Sequence, residues 1–209
     1  MDNSKFIRIF VPMKVIFLDH DGVICLANNW GSRHKKQKKW GGMKLSMRGS
    51  EIPLKYRFDN FDKKAVKILN EILEMTDAEI IVSSDWRFHA TLDELGKYYE
   101  LQGIIKKPIG VTDVFKDIFP REWSALRFRA DLELERYMEI NHWVENNSEI
   151  THWVAIDDLD MSVEFLGDRF SSSDGSDAKP GLTNFVHTPR ENEGIKQSGT
   201  KEKIIKFLE

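Results

Sequence analysis

The chain has 209 residues, 31 Lys/Arg against 34 Asp/Glu for a net charge of −3, 41% apolar and 11% aromatic residues, an ordinary globular make-up with length for one well-buried core. No apolar run reaches the ~20 residues that span a bilayer, MDNSKFIRIFVPM has no export-signal pattern, and a lone cysteine, Cys25, excludes an internal disulfide and fits a reducing compartment. The expectation is therefore one cytoplasmic domain, 1–209, with no membrane contact.

Charge is unevenly spread. Nine Lys/Arg lie between Gly31 and Arg57 against one acid, Glu51, leaving the rest strongly acidic. A basic segment on an acidic body favours a polyanionic partner.

In chain order, Val15 to Leu18 is a continuous apolar run that predicts a strand buried on both faces, as in a parallel sheet. It ends in Asp19, His20, Asp21 and Gly22, where open α/β sheets place ligands. Two carboxylates so close ask for a shared cation or proton. Residues 26–58 read as an irregular basic cap insertion with at most a short hairpin, broken by Gly31, Gly41-Gly42, Gly49 and Pro53. In it Trp30, Trp40, Met43, Met47 and Tyr56 interleave with Lys35, Lys36, Lys38 and Lys39, a mixture suited to stacking bases and neutralising phosphates or to packing a small cap.

A helix follows from Phe61 to about Met75, capped by Asp59 or Asn60. A second buried strand, Glu79 to Val82, ends in Ser83, Ser84, Asp85, Trp86 and Arg87. Next come a helix from about Ala90 to Glu100, a short strand within Gly103 to Val111, and a loop with short helical pieces from Thr112 to Asp131. A helix from Leu132 to Glu145 leads to a strand, Trp153 to Ile156, that ends in Asp157 and Asp158. Gly167 to Gly181 reads as a surface loop, Asn184 to His187 as a last strand, and Lys201 to Leu208 as a closing helix. This alternation predicts a Rossmann-like three-layer α/β sandwich around a parallel sheet.

In such a sheet the three polar clusters share one edge. Carboxylates from two strand ends suit Mg²⁺, with Asp19 free to attack phosphorus and Asp21 to shuttle the proton. The acids at these strand ends, Asp19, Asp21, Asp157 and Asp158, are the candidate metal ligands.

FLDHDGVIC resembles motif I of the haloacid dehalogenase (HAD) superfamily, an apolar strand followed by D-x-D-G-(T/V). The resemblance implies Asp19 as nucleophile and Asp21 as general acid/base. IIVSSDWR resembles motif II, with Ser83 as the hydroxyl on the phosphoryl group and Ser84 close behind. WVAIDDLD resembles motif IV in its double-Asp form, leaving open whether Asp157 or Asp158 contacts the ion. The motif III lysine is missing, and Arg136 in R-x-x-E-I-x-x-W is its counterpart, with Arg127 and Arg129 as rivals. SSDWR, IGVT, RxxEIxxW and the double Asp together are similar to HAD-like domains found alone or within multidomain bacterial and phage RNA-repair proteins.

What this implies is a Mg²⁺-dependent phosphomonoesterase working through an aspartyl-phosphate on a nucleic acid end or a nucleotide. Ser84, Arg87 and the lysines of the insertion are the expected substrate contacts. A phosphatase of a small sugar or other metabolite phosphate and a catalytically idle nucleic-acid-binding module are the alternatives. His20 is expected to fill the variable motif position and point away from the metal.

Overall fold

A computed structural model describes residues 12–40, 51–120, 131–170 and 180–209. Among these, strands β1 (Met13–Leu18), β2 (Glu79–Val82), β3 (Gly110–Val111), β4 (Ile150–Asp157) and β5 (Phe185–His187) form one all-parallel sheet in the order β3-β2-β1-β4-β5.

Val15, Ile16, Phe17 and Leu18 are wholly buried because β1 is central and covered on both faces. Ile16 and Leu18 face a core shared with helices α3 (Lys63–Thr76), α4 (Leu92–Gln102) and α8 (Thr200–Leu208), through Leu69, Tyr99 and Ile204 among others. Val15 and Phe17 face the opposite core, where Leu134 and Ile140 of α6 (Leu132–Asn146) and Leu166 of α7 (Val163–Arg169) pack. Strand alternation thus produces the three layers expected from the sequence.

The chain builds outward from β1 to β2 and β3, then returns to add β4 and β5 on the other side. The order therefore reverses between β1 and β4, the crevice where open α/β sheets bind ligands.

The insertion after β1 departs from expectation: its described part holds helices α1 (Ser32–Trp40) and α2 (Leu54–Arg57), where a hairpin at most was expected. Helix α1, SRHKKQKKW, lacks an apolar period because tertiary contacts hold it in place of an apolar stripe. Lys36 Nζ donates to the Phe58 carbonyl and to Asn60 Oδ1, both at 2.8 Å, and Gln37 Nε2 donates to the Tyr56 carbonyl at 2.8 Å. Trp40 and Tyr56 stack on each other, with centroids 5.3 Å apart. Met43 and Met47 lie outside the described residues.

The α3 cap is also different. Asp62 accepts from Lys64 N and Ala65 N at 3.0 Å, whereas the Asp59 carboxylate is taken by Ser32 Oγ (3.1 Å) and Arg33 N (2.6 Å). The stretch from Thr112 does contain a short helical piece as expected, α5 (Phe115–Ile118), whereas α7 reaches into the stretch read as loop from Gly167. Among the described residues no helix is long and apolar enough to cross a membrane.

Candidate active site

The end of β1 positions the first acid. Asp19 N still donates to the Ile156 carbonyl of β4 at 3.1 Å, which holds this residue between the two strands at the reversal point. The chain then coils tightly: the His20 carbonyl accepts from Val23, Ile24 and Cys25 N at 3.3, 3.0 and 2.7 Å. Gly22 takes φ +71° in this turn, and a Cβ there would lie 2.4 Å from Asp158 Oδ2. Glycine is thus required twice, for the left-handed turn and for the close approach of a motif IV acid. Gly22→Ala is expected to lower stability by about 1–3 kcal/mol and to abolish any rise in melting temperature on adding Mg²⁺, both read by thermal unfolding.

His20 points away from the acids. Its ring lies 4.6 Å from that of Trp86 and its Nε2 is 2.7 Å from the Tyr99 hydroxyl, and burial pushes its pKa down to about 3, so it stays neutral. Asp21 is exposed, and Trp86 Nε1 donates to its Oδ2 at 2.9 Å. Trp86 is itself held flat against Phe58, 4.5 Å between centroids at 9°. The aromatic cluster around His20 therefore orients the second acid of motif I.

Asp19, Asp157 and Asp158 offer carboxylate oxygens that all lie within 4.8 Å of one another. Burial raises the pKa of each, and their mutual repulsion adds to it for Asp19 and Asp157. An oxygen-only donor set that resists ionising without a cation fits Mg²⁺. Asp21, also expected as a ligand, does not bring its carboxylate into this group. Of the motif IV pair, Asp157 has both oxygens engaged: Oδ1 accepts from Leu159 N at 2.9 Å and Oδ2 from Arg136 at 3.0 Å. Asp158, less buried, lines the adjoining cavity.

Arg136, in the second turn of α6, reaches the strand ends. Its Nη1 donates to Asp157 Oδ2 (3.0 Å), to Asp19 Oδ1 (3.4 Å) and to the Ser83 carbonyl, and Nη2 donates to Asp85 Oδ1 (3.1 Å). Burial works against its charge, yet Asp157, Asp19, Glu139 and Asp85 together hold the guanidinium more firmly protonated than usual. The rivals Arg127 and Arg129 lie outside the described residues.

The RxxE spacing puts Glu139 one turn further along the same face. Glu139 Oε2 accepts from Arg87 Nη2 at 2.7 Å, and Oε1 accepts from Phe115 N at 2.8 Å. Arg87 Nη1 donates to Thr112 Oγ1 at 3.0 Å. SSDWR, IGVT and RxxE are therefore three sides of one buried network. Arg87, expected as a substrate contact, lines the cavity with two of its nitrogens already engaged. Thr112 and Glu139, which no isolated motif assigned, supply those partners.

The cavity itself is about 450 Å³ and opens above Asp19, Asp21, Ser84, Asp158 and Arg136. Ser84, rather than Ser83, is among its lining residues and sits close enough to Asp19 to lower its pKa somewhat, while the Ser83 hydroxyl is buried with no partner. Lys116, in α5, lines the cavity and was not expected. Lys35, Lys38 and Lys39 are exposed on α1 and line neither this cavity nor a second cleft between Trp30, Arg33 and Trp86; Lys36 is held by Phe58 and Asn60.

Residues 15–190 match the family model described as the HAD domain in Swiss Army Knife RNA repair proteins. The chain belongs to this HAD family. No curated protein and no solved structure gives a significant match. Membership in an RNA-repair-type HAD family supports a phosphatase-like role, and the matched span runs from β1 through β5, enclosing all the strand-end acids of this HAD domain.

Proposed function

We propose that this HAD domain is a Mg²⁺-dependent phosphomonoesterase that removes a terminal phosphate from a nucleic acid end or a nucleotide through an aspartyl-phosphate. The observation that carries the reading is Arg136 Nη1, shared by Asp19 Oδ1 at 3.4 Å and Asp157 Oδ2 at 3.0 Å beneath the cavity. A buried guanidinium between an attacking carboxylate and a metal-side acid supplies charge where the phosphoryl group's own charge must be offset.

Asp19, Asp157 and Asp158 would hold the ion, with Asp158 taking the direct contact because both oxygens of Asp157 are already engaged. When bound, Mg²⁺ offsets the repulsion among these carboxylates and the charge on the phosphoryl oxygens. Ser84 and Arg136 orient the phosphoryl group over Asp19. An Asp19 oxygen forms the new bond to phosphorus as the bond to the ester oxygen breaks, and Asp21 gives that oxygen its proton. Asp21, now ionised, takes a proton from water; the water oxygen bonds to phosphorus, releasing inorganic phosphate and restoring the Asp19 carboxylate. Trp86 keeps Asp21 facing the leaving oxygen.

Phosphate release from 3′- and 5′-phosphorylated oligonucleotides, mononucleotides and sugar phosphates tests the substrate class. The expected result is the highest kcat/KM on a nucleotide-bearing substrate, with a fall as salt rises on oligonucleotides alone, since counterion release acts only there. Highest turnover of a sugar phosphate would replace the nucleotide reading with the metabolite one.

A further inference from the structure

Asp21 fronts two cavities. Asp19, Ser84, Arg136 and Asp158 line the first alone; the second is a cleft of about 350 Å³ walled by Trp30, Gly31, Arg33, Asp59 and Trp86 on the insertion side. Under the phosphatase reading, the phosphoryl group occupies the first cavity. The group that departs must take its proton from Asp21, a residue that also lines the second cleft.

The cleft's side chains offer a flat, partly exposed ring and one cation, Arg33, beside two carboxylates, Asp21 and Asp59. Trp30 leaves 43% of its surface exposed, although large aromatics are normally mostly buried. Its ring does not swing freely, because Nε1 donates to the Cys25 carbonyl at 3.1 Å. Next to it Gly31 turns with φ +78° and open space where a Cβ would stand, so nothing crowds that side of the cleft. Trp86, the other indole, is already committed to Asp21 and Phe58. Arg33 adds a cation at the same place, half-exposed and tethered with Nε 3.7 Å from Asp59 Oδ2. Asp59 Oδ1 accepts from Ser32 Oγ and Arg33 N, and Asp21 brings a second carboxylate to the cleft. A pinned, exposed indole beside a guanidinium is a stacking surface with a charge for a phosphate.

We propose that this cleft holds the nucleoside part of the leaving group, its base stacked on Trp30 and a neighbouring phosphodiester oxygen facing Arg33. The proposal rests on the phosphatase reading for the position of Asp21 between the two halves of the substrate. It also gives the insertion its role: the residues that select a nucleotide are Trp30 and Arg33 at the entry of the segment, while the lysines of α1 lie away from the cleft.

The test compares a terminally phosphorylated dinucleotide with glycerol phosphate, which lacks a base, in wild type, Trp30→Ala and Trp30→Phe. The ratio of the two kcat/KM values cancels any loss of folded protein within each variant. Alanine is expected to lower this ratio by about 5- to 150-fold, the worth of one stacked base, and phenylalanine to restore most of it. An unchanged ratio in Trp30→Ala would overturn the proposal. Calorimetric binding of a nucleoside monophosphate to Asp19→Asn, with and without Trp30→Ala, needs no turnover. Affinity that is indifferent to Trp30 sinks the base site even if the chain is a phosphatase. Affinity that depends on Trp30 in a chain that hydrolyses neither substrate keeps the site and removes the phosphatase reading.

Discussion

Replacing Arg136 by alanine is expected to cost about 3–5 kcal/mol of stability at pH 7 without Mg²⁺, because Asp19, Asp157 and Glu139 would lose the buried charge they share. Chemical denaturation measures this directly. The pH dependence has a definite sign. Burial already holds the folded-state pKa values of Asp19 and Asp157 above ordinary ones, and removing the guanidinium raises them further. The folded state then binds more protons than the unfolded state, so stability falls as pH rises through this range and returns as pH is lowered towards ~4. Activity should fall with stability at neutral pH, and Arg136→Lys should recover only part of it, since an ammonium is a point charge that does not match the spread of acceptors at Asp157, Asp85 and Ser83.

Asp19→Asn should behave in the opposite way: it loses turnover while keeping the fold. The substitution is nearly isosteric and removes one charge from three crowded carboxylates whose protons are already hard to release. Arg136 retains Asp157 and Asp85 as partners. Melting of the metal-free protein is therefore expected to be unchanged or slightly raised. An amide is a poor nucleophile towards phosphorus, so the chemical step should fall by about 10³-fold or more.

The sheet and the acids at its edge were legible in the sequence for a physical reason. Strands buried on both faces must be continuous apolar runs, and VIFL, IIV and WVAI stop abruptly at Asp19, Ser83 and Asp157. Arg136 is named from its place in RxxE before the double Asp, and its guanidinium does lie at the strand ends. Features made by tertiary hydrogen bonds were not legible. Helix α1 is polar all round and stands on the bonds of Lys36 and Gln37 to distant carbonyls. Asp59 looks like the cap of α3, but the fold spends its carboxylate on Ser32 and Arg33, and Asp62 takes that place. Ser83 and Ser84 are one residue apart after a strand, where successive side chains point to opposite faces; their sequence does not say which face the cavity occupies. Glu139 and Thr112 have partners 52 and 25 residues away in Arg87, beyond any local pattern. The lysine run was the most conspicuous charge feature, yet among the described residues the cations at the two cavities are Arg33, Arg87, Lys116 and Arg136. Charge count along a segment carries no information about the direction in which a helix presents it.

The most direct test of the account is phosphate release from a terminally phosphorylated oligonucleotide in Mg²⁺ by wild type and by Asp19→Asn, each shown to be folded. Turnover by wild type and a loss of about 10³-fold or more in the variant is the predicted result. Equal rates would contradict the assignment of Asp19 as the attacking group, and with it the aspartyl-phosphate route.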